Sequence, residues 1–258
     1  MSIFRLGEMT WEEAGKAIRE ADFIILPLGS FEQHALHLPL LTDSIRAEFL
    51  AEEVAKKAIE EGLKVLVLPT LPYGVSEHHM GFPGTISIDP DVYIEFIVCI
   101  GRSLAKHGAK RLILMNFHGG NLAPLQIAMA KIRARYGLRT YLFPWTSFAR
   151  DAILRELKPE KHWGHACEHE TSMIMLFRPE LVKKEKMRKP NVRIAIDETS
   201  FRMVPTFLYF NEITDTGGLG DPLKASPEKA RIIIEEANKR IVEAMKRIIE
   251  MEKALQIS

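Results

Sequence analysis

Glu32-Gln33-His34, with Asp43 nine residues after the histidine, sets two carboxylates and an imidazole just past an apolar run, Phe23 to Leu28. Two further polar clusters lie far along the chain. Asn116-Phe117-His118-Gly119-Gly120-Asn121 again follows an apolar run, and His165-Ala166-Cys167-Glu168-His169-Glu170 comes later. Carboxylate oxygens and imidazole nitrogens are the ligands that Zn²⁺, Mn²⁺ and Fe²⁺ accept when hydrolysis is the goal. Eight of the nine histidines fall in or just before these clusters or in the polar loop that holds His78 and His79, and only His107, before Gly108, lies apart. The pattern points to a hydrolase built on two metal ions.

The elements that must position these residues follow from hydrophobic periodicity. Residues 22–28 form a continuous apolar run and predict a buried strand. Residues 45–61 show helical spacing, with Phe49, Leu50, Val54, Ala55, Ala58 and Ile59 on one face. Strands are predicted at 65–68, 112–115 and 140–143, and helices at 91–107 and 122–136, with a loop containing Gly and Pro at 72–90. Short apolar strands alternating with longer helices predict an α/β three-layer sandwich, a mainly parallel central sheet with helices on both faces. Ligands bind such sheets beyond the carboxyl ends of the strands. Glu32 and His34 follow the first strand, Glu77 to His79 the second, His118 the third and Trp145 the fourth, so all four loops should open on one edge. Beyond residue 150 the pattern loosens. A buried helix is expected at 170–177, a basic run at 183–189, a strand-like or covering arm at 193–210, and an amphipathic helix at 227–255 capped by Ser226 with Pro227 first. Without repeats or a linker, residues 1–258 read as a single domain.

Composition narrows the class. A chain of 258 residues with 47% hydrophobic side chains can build an ample core. A net charge of +1 gives no reason to expect nucleic acid or an acidic membrane as partner. The N-terminal residues lack a signal-peptide pattern, and no apolar run approaches the roughly 18 residues of a membrane span. Two cysteines, Cys99 and Cys167, fit a reducing cytoplasm. Three Gln and five Asn, with helices rich in Lys, Arg and Glu, lean toward a thermophile.

At the level of motifs, Gly29-Ser30-Phe31-Glu32-Gln33-His34 with His37-Leu38-Pro39 and Thr42-Asp43 resembles the opening of the creatininase family, the creatinine amidohydrolases. Tyr73 to His78, Phe82 to Thr85, Asn116 to Asn121, His165 to Ser172 and Gly217 to Pro222 follow in the family's order. The resemblance implies a binuclear site. One metal would take Glu32, Asp43 and His118, and the other His34 and Asp43, with Asp43 as bridge. In creatininase proper a ligand glutamate stands two positions after the third-motif histidine, where this chain has Gly120. The chain is more similar to the His-Gly-Gly-Asn branch, which includes archaeal formamide deformylases and peptide-processing members. There Glu168 is expected to supply the missing carboxylate. His165 matches the family's catalytic histidine, expected to protonate the leaving nitrogen, and Glu168 is a second candidate for handling the water's proton. The resemblance also implies a homohexamer.

Other residues carry lesser expectations. Glu170 reads as a helix-opening residue favoured by the N-terminal dipole, with its completing the second metal site in place of Glu168 left open, and Cys167 reads as a bystander. His78, Gly119, Gly120 and Trp145 are the candidates for substrate contact, and His79 stands with His78 for contact with substrate or a neighbouring subunit. Arg46, Arg150 and the run at 183–189 are cations available to a phosphate. The expected function is a metal-dependent amidohydrolase cleaving a non-peptide C–N bond, in a creatinine-like cyclic amide or a formamide. The alternatives are a formamidopyrimidine-nucleotide deformylase and a non-catalytic, metal-containing binding protein of the same fold. A nucleotide-binding regulatory domain ranks last, for want of a Gly-x-Gly-x-x-Gly turn after any strand.

Overall fold

Strands β1 (Phe23–Leu28), β2 (Val65–Val67), β3 (Arg111–Asn116) and β4 (Arg139–Pro144) run parallel in the order β2-β1-β3-β4. The structure is a computed structural model and describes residues 4–159, 163–193 and 206–256. The principal helices are α1 (Trp11–Glu20), α2 (Thr42–Glu60), α3 (Pro90–Lys106), α4 (Leu122–Tyr136), α5 (Trp145–Leu157), α6 (Glu168–Phe177) and α7 (Pro227–Ala254).

Strand β1 is buried at every position, because successive side chains feed two different cores. Phe23, Ile25, Val67, Ile113, Met115 and Phe143 pack with residues of α2, α5 and α7 on one face. Ile24, Leu26, Leu28, Leu66, Leu112 and Leu114 pack with residues of α3 and α4 on the other, where Ile18 of α1 joins them. Each fully buried Ile, Leu or Phe contributes about 1.5–3 kcal/mol. The outcome is the expected three-layer α/β sandwich.

The predicted strands and helices are present, with their ends moved by at most three residues. Two helices were not expected. The segment of α1 reads as a polar run because Ile18 is its only buried residue, and a Thr10–Glu13 capping box secures its start. Helix α5 starts directly after β4 and runs past residue 150, where the sequence pattern loosens. Two of its five buried positions are alanines, which weakens its apolar signal. The expected arm at 193–210 falls mostly outside the described residues. Among the described residues, no helix is long and apolar enough to cross a membrane.

Candidate metal centre

The loops beyond β1 and β3 are tied to each other before they are tied to any ligand. Asn121 Nδ2 donates to Gly29 O (3.0 Å) and Asn116 Oδ1 (3.2 Å), and Asn116 Nδ2 donates to His118 O (2.6 Å). On this frame Glu32, His34 and His118 turn inward, and the first turn of α2 brings Asp43 beside them. Two clusters of potential ligand atoms result, Glu32–Asp43–His118 and His34–Asp43–Glu170, each with its atoms within 4.8 Å of one another. Asp43 belongs to both. Its Oδ2 lies 3.4 Å from His118 Nδ1, and its Oδ1 lies 3.6 Å from His34 Nε2. Glu32 Oε1 stands 3.1 Å from His118 Nδ1, and Glu170 Oε2 stands 3.7 Å from His34 Nε2. A third, overlapping group joins Glu32 and His34 to His165.

The donor atoms fit divalent ions. Glu32 Oε1 and His34 Nε2 are buried with no hydrogen-bond partner, a cost of about 1–3 kcal/mol each unless a ligand satisfies them. The remaining atoms are already committed. Ser76 Oγ donates to Glu32 Oε2 (2.6 Å), His118 Nε2 faces Val75 O (2.9 Å), and His34 Nδ1 faces Glu32 O (3.2 Å). Rings that donate to these carbonyls aim their opposite nitrogens, His118 Nδ1 and His34 Nε2, at the clusters, where each offers a lone pair once it has lost its proton. Such tautomers follow from the hydrogen-bond network. The N/O set suits Zn, Mn or Fe.

Charge is arranged accordingly. Burial alone would lower the His34 imidazole, but Asp43, Glu170 and Glu32 outweigh it and lift it to about 9. Glu32 and Asp43 likewise raise His118 well above its ordinary value against the effect of burial. Asp43 is held well below the usual carboxylate range despite burial, by His34, His118 and Arg46. These imidazoles hold protons that a divalent ion has to displace. His165 behaves in the opposite way: burial and then the charge of His34 depress it to about 3, so it is neutral at neutral pH. Its Nε2 lies 2.7 Å from Gln33 O and its Nδ1 lies 3.7 Å from Glu32 Oε1. Burial, Glu170 and Glu168 push the Cys167 thiol up to about 12, which leaves it un-ionised at neutral pH.

Of the two α6 carboxylates that the sequence left open for the second site, the structure brings Glu170 beside His34 and Asp43, and not Glu168. Glu168 is absent from both clusters, and its Oε2 accepts from Asp221 N (3.0 Å). Residues two apart on a helix point about 200° apart, so α6 can turn only one of Glu168 and Glu170 toward His34 and Asp43. It turns Glu170, whose Oε2 also accepts from Ala166 N (2.6 Å). Gly120 shows why the carboxylate comes from α6. A Cβ there would stand 2.0 Å from Val75 O and 2.6 Å from His118 Nε2, leaving no room for a side chain.

Trp145 departs from expectation. It is fully buried, between Phe117 (ring centroids 6.1 Å apart) and His169 (6.4 Å), and belongs to the core rather than to a substrate surface. His78, Gly119 and Gly120 do stand together. With His79, His118, His165, Phe207 and Phe210 they line a cavity of about 460 Å³. Arg46 is not available to a phosphate: it is fully buried and paired with Asp43 and Glu170. Arg150 lies over the Trp163 ring, 5.8 Å from its centroid.

The sequence left Glu170 open beside Glu168 and named His79 with His78, but gave Gln33 no role. Gln33 Nε2 lies 2.9 Å from Gly217 O and 2.7 Å from His79 Nδ1, and His79 Nε2 sits 3.4 Å from Glu32 Oε1. No periodicity in a loop tells which of two adjacent histidines turns inward.

The family model for creatininase, creatinine amidohydrolase, matches residues 7–245. A creatinine amidohydrolase from Pseudomonas putida is 29% identical over 254 residues, 91% of this chain and 92% of that protein. A mycofactocin precursor peptide peptidase from Mycobacterium tuberculosis is 32% identical over 88% of this chain and 86% of its own length. A 2-amino-5-formylamino-6-ribosylaminopyrimidin-4(3H)-one 5'-monophosphate deformylase from Methanococcus maripaludis is 38% identical, over 38% of this chain and 41% of its own. Among solved structures, a mutant creatininase of the Zn-Zn type matches with a TM-score of 0.80 at 26% identity, covering 96% of this chain and 98% of that one. This chain belongs to the creatininase family of amidohydrolases.

Proposed function

We propose that the chain is a single catalytic domain that uses two divalent ions to hydrolyse a small non-peptide amide, a creatinine-like cyclic amide or a formamide. The observation that carries this reading is Asp43, one oxygen of which faces each cluster. Glu32, Asp43 and His118 would hold one ion, and His34, Asp43 and Glu170 the other. Bound there, the ions would supply a water of lowered pKa and polarise the amide carbonyl. The protein's own part is proton transfer and positioning. His165, with Nε2–H donated to Gln33 O, presents the Nδ1 lone pair to the centre. Held at about 3, this imidazole is a weak base, but once it has taken the water's proton at Nδ1 it is a strong acid that delivers it to the leaving nitrogen. His78, Gly119 and Gly120 border the cavity through which substrate reaches the centre, and its volume of about 460 Å³ suits a small ligand.

The solved creatininase of the Zn-Zn type supports zinc, although the same donor set accepts Mn and Fe. A peptide amide is a second reading, favoured by the mycofactocin peptidase relative. A cytoplasmic homohexamer completes the proposal; the two free thiols fit a reducing compartment.

The test is elemental analysis of untagged protein reloaded with Zn²⁺, Mn²⁺ or Fe²⁺, followed by hydrolysis assays on creatinine, N-formyl amines and short peptides. About two ions per chain with turnover of creatinine or a formamide is the expected result. One ion or none would overturn the two-ion mechanism, and turnover of peptides alone would move the second reading to the front.

A further inference from the structure

The side-chain amide of Gln33 is buried, and its partners leave it one orientation. Its Oε1 accepts from Ala35 N (2.9 Å), which can only donate, and its Nε2 donates to Gly217 O (2.9 Å), which can only accept. Gly217 makes room for this: a Cβ there would stand 2.1 Å from Gln33 Oε1. The second hydrogen on Nε2 meets His79 Nδ1 at 2.7 Å. His165 Nε2, 3.1 Å away, does not compete for it, because that nitrogen donates to Gln33 O (2.7 Å). His79 Nδ1 therefore carries a lone pair, and the ring holds its proton on Nε2. Packing keeps the ring in this bond, with His165 at 4.3 Å and Phe210 at 4.1 Å between ring centroids.

The two histidines thus show unlike atoms to one place. His165 Nδ1, a lone pair, stands 3.7 Å from Glu32 Oε1, and His79 Nε2, an N–H, stands 3.4 Å from the same oxygen. Both distances are too long for a good hydrogen bond, and Glu32 Oε1 has none. Both rings also line the cavity that leads to the centre.

Resting on the amide-hydrolysis reading above, we propose that His79 is a second catalytic histidine, an N–H donor to the amide oxygen, and that Gln33 is the positioning residue that makes it one. As the water's oxygen bonds the amide carbon, the carbonyl π pair moves onto the amide oxygen. His79 Nε2–H hydrogen-bonds that oxygen and keeps its proton, while the water's proton goes to His165 Nδ1. When the C–N bond breaks, the pair returns to the carbonyl. A fixed donor is worth most where charge develops, so it acts on kcat more than on KM. The other tautomer of His79 would set a lone pair against the oxyanion, and the Gln33 amide excludes it.

The experiment has two arms. Neutron diffraction from deuterium-exchanged crystals of wild type, chelator-stripped and Zn²⁺-loaded, should show deuterium on His79 Nε2 and none on its Nδ1. Deuterium on Nδ1 overturns the proposal. Steady-state kinetics then compare Zn²⁺-loaded wild type, His79→Leu and His79→Gln on the best amide substrate. His79→Leu should lower kcat about 10²–10³-fold, hold KM within about threefold and keep both ions. His79→Gln, whose amide nitrogen can take the place of Nε2, should recover at least about tenfold of that loss. Should His79→Leu fail to fold, His79→Asn, one methylene shorter, serves as the variant with no donor in reach. Full kcat with a raised KM in His79→Leu, loss of an ion from it, or a His79→Gln no faster than the variant without the donor overturns the proposal. Fewer than two ions in wild type would instead overturn the two-ion reading, and the hydrogen positions in the chelator-stripped crystal still decide which tautomer Gln33 imposes.

Discussion

Two groups of buried charge sit at opposite edges of the same sheet, and they end differently. At the amino ends of β3 and β4, Glu252 of α7 is 2% exposed and both its oxygens are taken. Tyr141 Oη donates to Oε1, and Arg111 Nε (2.7 Å) and Arg139 Nη1 (2.9 Å) donate to Oε2. At the carboxyl ends, Glu32 Oε1 and His34 Nε2 are as deeply buried yet have no hydrogen-bond partner. Burial alone therefore does not mark a functional centre. Bonded oxygens do not separate the two edges either, since both oxygens of Asp43 and of Glu170 also accept hydrogen bonds. What sets the carboxyl edge apart is the convergence of several carboxylates and imidazoles, two of whose atoms have no hydrogen-bond partner.

The sharpest way to break this contrast is to delete the shared carboxylate. Asp43→Ala should lose both ions and lower kcat/KM at least about 10³-fold, read by elemental analysis and by hydrolysis of the best substrate. Retention of both ions would mean the clusters are not linked through Asp43. At the other edge, Glu252→Gln should keep both ions and full turnover while losing about 2–3 kcal/mol in urea unfolding, since it leaves two arginines short of a partner. Next in size is the pair on α6. Glu170→Gln should lose one ion of two, and Glu168→Gln neither. The reverse outcome would restore the expectation drawn from the sequence.

That pair also shows where sequence reading stops. The sheet was legible because β1 and β3 are buried on both faces and so form unbroken apolar runs. Glu32, His34 and His118 were legible because each follows a strand, and Asp43 because the motif it shares with them fixes it. On α6, by contrast, the side that meets α2 depends on how the helix docks, which the local pattern of Glu168-His169-Glu170 does not carry. Arg46 reads as one more charge on a helix, and its partner Glu170 is 124 positions away. Trp145 follows a strand as the site residues do, yet α5 begins at that residue and turns it into the core.

The two edges should also respond to pH in opposite ranges. His34, lifted to about 9, must give up its proton to take an ion. Ion affinity should therefore rise with pH up to about 9 and fall about tenfold per unit below it, with proton release measurable in buffers of different ionisation enthalpy. Binding unaffected between about pH 7 and 9 would show that His34 is no ligand. Burial alone would raise Glu252, but the hydrogen bonds from Arg111 and Tyr141 hold it below 4.5. Its stabilising effect is complete above the unfolded value near 4.5 and is lost as pH falls through the lower folded one, so urea unfolding should weaken there.

The smallest effect separates the mouth of the cavity from the centre. His78 is half-buried and stacks on His118, with ring centroids 5.4 Å apart and planes 10° apart. Burial, then the charge of His118, lowers its imidazole to about 4, so at neutral pH it offers substrate a neutral ring rather than a charge. It belongs to neither cluster. His78→Ala should then raise KM about three- to tenfold and leave kcat and ion content nearly unchanged, the pattern of an interaction made equally with substrate and transition state. Trp145→Phe, a core change, should leave KM alone and cost about 1–2 kcal/mol of stability. If His78→Ala instead lowered kcat at constant KM, its stacking on His118 would be acting on the ligand itself, and the cavity mouth would have to be counted as part of the metal centre.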